Sequence, residues 1–140
     1  LKVYICQFLK GREYCELIAL RKIKNIKIEQ FGTDCFIRKS PTQKDIELAK
    51  MALRQISKVI KEKKYDVVIL DEINVALSFN LLKLKDVMRL VRKAPAKMEL
   101  ILTGRNAPAQ IIKLADLVSE IKEVKHYFKK GVNARKGIEY

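Results

Sequence analysis

Histidine occurs once in the 140 residues, as His126, which excludes a His-based catalytic triad and any metal site built from several imidazoles. Cysteine is nearly as scarce. Cys6, Cys15 and Cys35 form no close pair, so neither a zinc knuckle nor a C-x-x-C redox motif can be drawn. An odd count, with no secretion signal read in the chain, fits reduced thiols in a cytoplasm and small buried hydrophobes. Five glycines and three prolines leave few long loops. None of the glycines stands in the phosphate-cradling pattern G-x-x-x-x-G-K-[ST]; between Gly131 and Gly137 the lysine, Lys136, precedes the second glycine. No apolar run approaches the eighteen or so residues that a membrane span requires, so no membrane partner is expected. Acidic residues are outnumbered, 16 against 30 basic ones, for a net charge of +14. Such a field attracts polyanions. The basic residues are scattered and lack interleaved aromatics, so a solvated surface, as in proteins enriched in Lys and Glu, is favoured over a nucleic-acid face.

What is present is alternation of short apolar runs with helical patterns. Strands are expected over Lys2–Leu9, Asn25–Phe31, Tyr65–Leu70, Glu99–Thr103 and Leu117–Lys122. Between them, helices are expected over Tyr14–Arg21, from Ser40 to about Lys63, Ile73–Phe79, Lys85–Lys93 and after Pro108. The long helix carries Ala49, Ala52, Leu53, Ile56, Val59 and Ile60 on one stripe; Ser40 is its expected N-cap, with Pro41 next and Gln43 completing a capping box. Asn106 is the expected cap of the helix at Pro108. Strands alternating with helices mean βα units: an α/β domain, single over 1–140, with a mainly parallel sheet flanked by helices.

The organising stretch is Asp66-Val67-Val68-Ile69-Leu70-Asp71-Glu72, read as a strand buried on both faces that ends in two carboxylates. Ligands of open parallel sheets sit beyond the carboxyl ends of the strands. Asp71 and Glu72 there have two readings: the Walker-B half of a nucleotide site, holding magnesium, or acids capping the following helix. Lys10-Gly11 and Gly104-Arg105-Asn106 close two other strands, and the parallel arrangement brings all three ends to one edge. A cation, a carboxylate pair and a guanidinium suit a magnesium–polyphosphate. Phe36-Ile37 in the loop 32–39 read as a lid over a flat apolar ligand or as packing; Phe31 and Tyr127-Phe128 read as core or a subunit contact.

Six segments in order, Gln7–Gly11, Val68–Asn74, Leu102–Arg105, Ala115–Glu120, Val124–His126 and Gly131–Tyr140, resemble the ATP:corrinoid adenosyltransferase family of the bacterial cobalamin pathway. The resemblance implies a P-loop (RecA-like) fold, a homodimer, and transfer of the 5′-deoxyadenosyl group of ATP to the Co(I) of a reduced corrinoid, with triphosphate released. A reductase would supply the Co(I). By the same resemblance Asp71 and Glu72 hold Mg²⁺, and Lys10, Gly11, Gly104, Arg105 and Asn106 lie near the phosphates. The tail with Gly131, Asn133, Arg135 and Gly137 lies near the nucleoside, and Phe36 and Ile37 face the corrinoid. No side chain is assigned a covalent catalytic role. Two departures stand out. The strand, phosphate loop and helix that open family members are absent before Leu1, so the chain is expected to be N-terminally truncated and impaired in ATP binding and turnover. Asp34 also stands in a loop where the family favours glycine. The competing reading is a basic RecA-like nucleotide or nucleic-acid binding module without this activity.

Overall fold

The computed structural model describes residues 1–33 and 40–138; the candidate corrinoid-facing pair Phe36 and Ile37, with Asp34, lies outside them. Four strands form one sheet: β1 (Val3–Phe8), β2 (Ile26–Phe31), β3 (Val67–Asp71) and β4 (Glu99–Leu102), in the order β2-β1-β3-β4. Every pairing is parallel. The helices are α1 (Cys15–Leu20), α2 (Gln43–Glu62), α3 (Ile73–Ser78), α4 (Leu84–Val91) and α5 (Ala109–Leu114), followed by a 3₁₀ turn at Tyr127–Lys130. The α/β class with a parallel sheet flanked by helices is therefore the one the sequence pattern implies.

Register explains which side chains form the core. Tyr4 and Cys6 lie opposite Val68 and Leu70, and with Phe8 these are fully buried on one face. Ala49, Ala52, Ile56, Val59 and Ile60 of α2 join the same cluster, as do Ile73 of α3 and Val87 of α4. Small alanines at the middle of the α2 stripe let its backbone approach the sheet. The other face is less covered. Val3, Ile5, Val67 and Ile69 are half-buried, and Ile101 is 44% exposed. The expectation of a β3 buried on both faces is corrected accordingly: one face is sealed and the other partly open. Connections from β1 to β2 and from β2 back past β1 to β3 run in opposite directions, so right-handed crossovers put α1 and α2 on opposite faces. Leu17 of α1 is buried yet stands outside the main cluster.

Three other expectations are corrected. The cap of α2 is Thr42 and not Ser40. Its hydroxyl accepts from the Asp45 amide (3.2 Å), and the Asp45 carboxylate accepts from the Thr42 amide (2.8 Å), a reciprocal box in which Asp45 takes the place given to Gln43. Asn106 does not cap α5: it adopts a left-handed φ of 60°, and Pro108 occupies the cap position. Leu117–Lys122 forms no strand. Its side chains are exposed, Ile121 to 98%.

Candidate functional site

The carboxyl ends of β1, β3 and β4 meet at one edge, and each chain exit uses a left-handed residue: Leu9 (φ 63°), Glu72 (φ 64°) and Gly104 (φ 115°). For Leu9 and Glu72 this conformation is strained by about 1 kcal/mol each. Strain kept at the two adjacent ends of β1 and β3 marks an edge shaped for something other than stability. After β1 the exit is held by close backbone packing. A Cβ on Gly11 would lie 2.6 Å from the Gly32 carbonyl oxygen, and one on Gly32 would lie 2.3 Å from the Lys10 nitrogen. The two glycines let the β1 and β2 exits touch, which fixes where Lys10 stands.

Asp71 is the hub. Its Oδ2 accepts from Lys10 Nζ (3.1 Å) and from Gln7 Nε2 (3.1 Å), and its Oδ1 accepts from the Thr103 hydroxyl (2.9 Å). Gln30 Nε2 in turn donates to Gln7 Oε1 (3.1 Å), and the Glu72 amide donates to Thr103 Oγ1 (3.0 Å). Strands β1, β2 and β3 and the residue just past β4 thus contribute to one network, with Gln7 only 3% exposed at its base. Lys10 also pairs with Glu16 at the start of α1 (3.5 Å). Burial pulls the Lys10 ammonium pKa down, but the charges and hydrogen bonds of Asp71 and Glu16 outweigh it and hold the group above its ordinary value. Lys10 stays a cation here.

Glu72 differs from its neighbour. Its carboxylate accepts no hydrogen bond among the described residues. Burial raises its pKa, the Asp71 charge raises it further, and Lys10 and Arg105 only partly offset them. It is an anion short of a counter-charge at the edge where ligands of parallel sheets bind. On the β4 side, the Asn74 amide donates to the Thr103 carbonyl (3.1 Å), and its side chain reaches the Gly104 carbonyl (3.4 Å). This ties the Gly104–Arg105 loop to the turn carrying Glu72. Asn74 Oδ1 is buried without a partner among the described residues.

Of the residues the sequence singles out, Lys10, Gly11, Asp71, Glu72, Gly104 and Arg105 come together at this edge. Arg105 and Asn106 are exposed on the loop after β4. Gly131, Asn133, Arg135 and Gly137 are exposed in the tail beyond α5, where the Arg135 guanidinium sits 5.2 Å over the Tyr127 ring. Tyr127 and Phe128 are 40% and 70% exposed, which removes the core reading for them, whereas Phe31 packs against the core. Gln7, Gln30 and Thr103 carry no site role in the sequence reading, although Gln7 and Thr103 stand in two of the six family-like segments. Their signal was a polar residue at or just past the end of each strand, meaningful only once register is known. Among the described residues no cluster of three or more His, Cys, Asp or Glu exists that could enclose a metal by itself, and no helix is long and apolar enough to cross a membrane.

Comparison with known proteins places this geometry in context. The model of the family described as ATP:corrinoid adenosyltransferase BtuR/CobO/CobP matches residues 1–140. A corrinoid adenosyltransferase of Pseudomonas aeruginosa is 32% identical over 142 residues, covering 100% of this chain and 70% of that protein. One from Sinorhizobium sp is 35% identical over 98 residues, 69% of this chain and 46% of its own length. Corrinoid adenosyltransferase CobA of Salmonella typhimurium is 40% identical over 75 residues, 54% of this chain and 38% of that protein. The chain therefore spans between about two fifths and 70% of these relatives. A match along its whole length, on a parallel α/β sheet with charged strand ends gathered at the carboxyl edge, leads to one assignment: the chain belongs to the ATP:corrinoid adenosyltransferase family.

Proposed function

We propose that the protein transfers the 5′-deoxyadenosyl group of ATP to the Co(I) of a reduced corrinoid, releasing triphosphate. The observation that carries this reading is the division of labour between the adjacent carboxylates. Asp71 has both oxygens engaged by Lys10, Gln7 and Thr103, whereas Glu72 is left under-compensated beside it. Asp71 holds the edge in shape, and Glu72 offers a charge to an incoming cation.

Such a pair fits magnesium, which is usually bound through one or two carboxylates together with substrate phosphates and water. When bound, the ion would neutralise charge growing on the triphosphate leaving group. The chain's own residues position and compensate. Lys10 remains protonated and presents a point charge to phosphate. Arg105, on a loop pinned through Asn74 and Gly104, supplies a planar donor fork for phosphate oxygens. The corrinoid's cobalt is the nucleophile toward the ribose C5′ carbon, so the protein's task is alignment and exclusion of water. Phe36 and Ile37 serve the corrinoid side, and Gly131, Asn133, Arg135 and Gly137 the nucleoside. The working form is a single-domain homodimer in the cytoplasm, served by a reductase.

The test is triphosphate release by the full-length protein with ATP, Mg²⁺ and chemically reduced cobalamin, run beside Glu72→Ala. Loss of on the order of a hundredfold or more in kcat/KM is expected on removing a charge that stabilises the leaving group. Undiminished turnover in the variant would end the metal assignment, and a silent wild-type protein would end the adenosyl-transfer reading.

A further inference from the structure

The opposite edge of the sheet, where the strands begin, has a chemistry the adenosyl-transfer reading does not use. Lysines far apart in the chain gather there. One cleft of about 480 Å³ is lined by Lys2, Lys24, Lys27, Lys63 and Lys64, with Asn25, Ile26 and Tyr65 between them. A second, of about 290 Å³, lies between the ends of α2 and α4 and is lined by Lys61, Lys63 and Lys93 around an apolar floor of Ile60, Leu90 and Pro95. Lys63 lines both, so the two clefts adjoin, and together they make a basic groove along this edge. Strands of four to six residues separate it from the carboxyl edge by roughly 15–20 Å.

Carboxylates answer only part of this charge. Glu29 pairs with Lys27 (3.0 Å) and Glu62 with Lys64 (3.1 Å). Asp66 accepts from the Lys2 backbone amide (2.6 Å), a bond that leaves the Lys2 ammonium free. Lys2, Lys24, Lys61, Lys63 and Lys93 are exposed and have no ion pair among the described residues. Lys61 and Lys63 do face the negative end of the α2 dipole. Lys93 likewise follows the carboxyl end of α4, whereas Lys2 and Lys24 stand off both helices.

We infer that this groove is a docking site for the phosphate backbone of duplex nucleic acid, bound without regard to sequence. Two adjoining basic clefts offer separate places for successive phosphates, which suits a chain of phosphates better than one compact anion. Lysines recognise phosphate as flexible point charges. No lining ring is free to stack bases, since Tyr65 packs against Tyr4 at 5.4 Å, so a duplex backbone fits better than an unstacked single strand. Seven of the 30 basic residues, dispersed along the sequence, are brought together by the fold at this edge.

The experiment uses the full-length protein and a fluorescein-labelled 20-base-pair duplex of mixed sequence, read by anisotropy across salt concentrations. The groove variant is Lys24→Glu/Lys63→Glu/Lys93→Glu. Its control, Lys50→Glu/Lys85→Glu/Lys113→Glu, makes an identical change in net charge on other exposed surfaces. The groove variant is expected to lose at least about tenfold in affinity at roughly 0.1 M salt and to show a shallower salt slope; the control is expected to lose less than about twofold. A Lys→Gln version of the groove variant repeats the comparison should the reversed charges impair folding. Equal losses in both sets, or no binding at about 0.05 M salt, would overturn the inference. Binding of polyglutamate in place of the duplex would overturn it in favour of an acidic protein. Because adenosyl transfer is assayed at the other edge, both triple variants should retain it if it is present, so the two readings can fail separately.

Discussion

Glu72 is strained in its backbone and under-compensated in its side chain, and the two facts together say what removing its charge should do. A carboxyl whose folded pKa is raised stabilises the fold while protonated, and that contribution is lost as pH rises through the raised value. Glu72→Gln should therefore unfold at a higher temperature than the wild type near neutral pH. The difference should shrink as pH falls below about 4, where the wild-type carboxyl becomes protonated in both states. The same variant should weaken Mg²⁺-dependent ATP binding, measured calorimetrically on the full-length protein, by about tenfold or more. A variant less stable than wild type at neutral pH would show that the carboxylate is not under-compensated. Gly104 makes a separate demand. At φ 115° with a would-be Cβ 3.2 Å from the Val75 nitrogen, Gly104→Ala is expected to cost about 1–3 kcal/mol in denaturant unfolding. That Asp71, Glu72, Lys10 and Arg105 gather at one edge was legible because a charged residue just past a short apolar run announces a strand end. The roles of Gln7, Gln30 and Thr103 were not, because they depend on which strands are neighbours, and no local pattern encodes that.

The helix α2 shows why ends are harder to read than stripes. Its apolar positions follow the 3.6-residue period over 20 residues, so its existence and its buried face were plain from spacing. Its start was misplaced by two residues because Ser40-Pro41 and Thr42 both match cap rules. The choice falls to whichever side chain finds a partner three residues on. Thr42 finds Asp45, which is 7% exposed and also accepts from the Thr33 hydroxyl (3.1 Å). Burial opposes ionisation of Asp45, but hydrogen bonds from Thr42 and Thr33 outweigh it and hold its pKa below the ordinary carboxylate value. That stabilisation is present above the unfolded-state pKa and is lost as pH falls through the lower folded one. Thr42→Ala should cost about 1 kcal/mol at neutral pH, and the gap to wild type should narrow in acid, below about pH 4. There the Thr42 hydroxyl's bond to the Asp45 carboxylate (2.7 Å) loses its charge while its bond from the Asp45 amide remains. A constant gap down to strongly acid pH would mean that the cap works without the Asp45 charge. The reading of Leu117–Lys122 as a strand failed for a different reason. Leu117, Val118 and Ile121 have the composition of a strand, but composition cannot supply a neighbour to pair with. The fold class survived that error because four other strands carried the βα alternation.

Stability in this protein is distributed unevenly between a tight centre and a loose end. Strand β1 is hydrogen-bonded on both sides, to β2 and β3, and places Tyr4, Cys6 and Phe8 in the fully buried cluster. Its amides have no route to solvent short of taking the sheet apart. Residues 116–138 are exposed throughout and belong to no strand, with a single 3₁₀ turn held by the His126 ring accepting from the Phe128 amide (3.0 Å). Exchange free energies span this range, from near zero at loose segments to the global value in core strands. Native-state hydrogen exchange should accordingly find β1 amides opening only with global unfolding, while amides of 117–124 exchange close to the rate of free peptide. The exposed Leu117, Val118, Ile121 and Val124, with Phe128 beyond them, make the second half of that expectation the informative one. An apolar group of this kind on a chain proposed to act as a homodimer is a place where a second copy could sit. Repeating the exchange across a hundredfold range of protein concentration separates the cases. Rates in 117–124 that do not move with concentration would leave these side chains in solvent and remove this segment from any dimer contact. Protection that grows with concentration would place it in the interface.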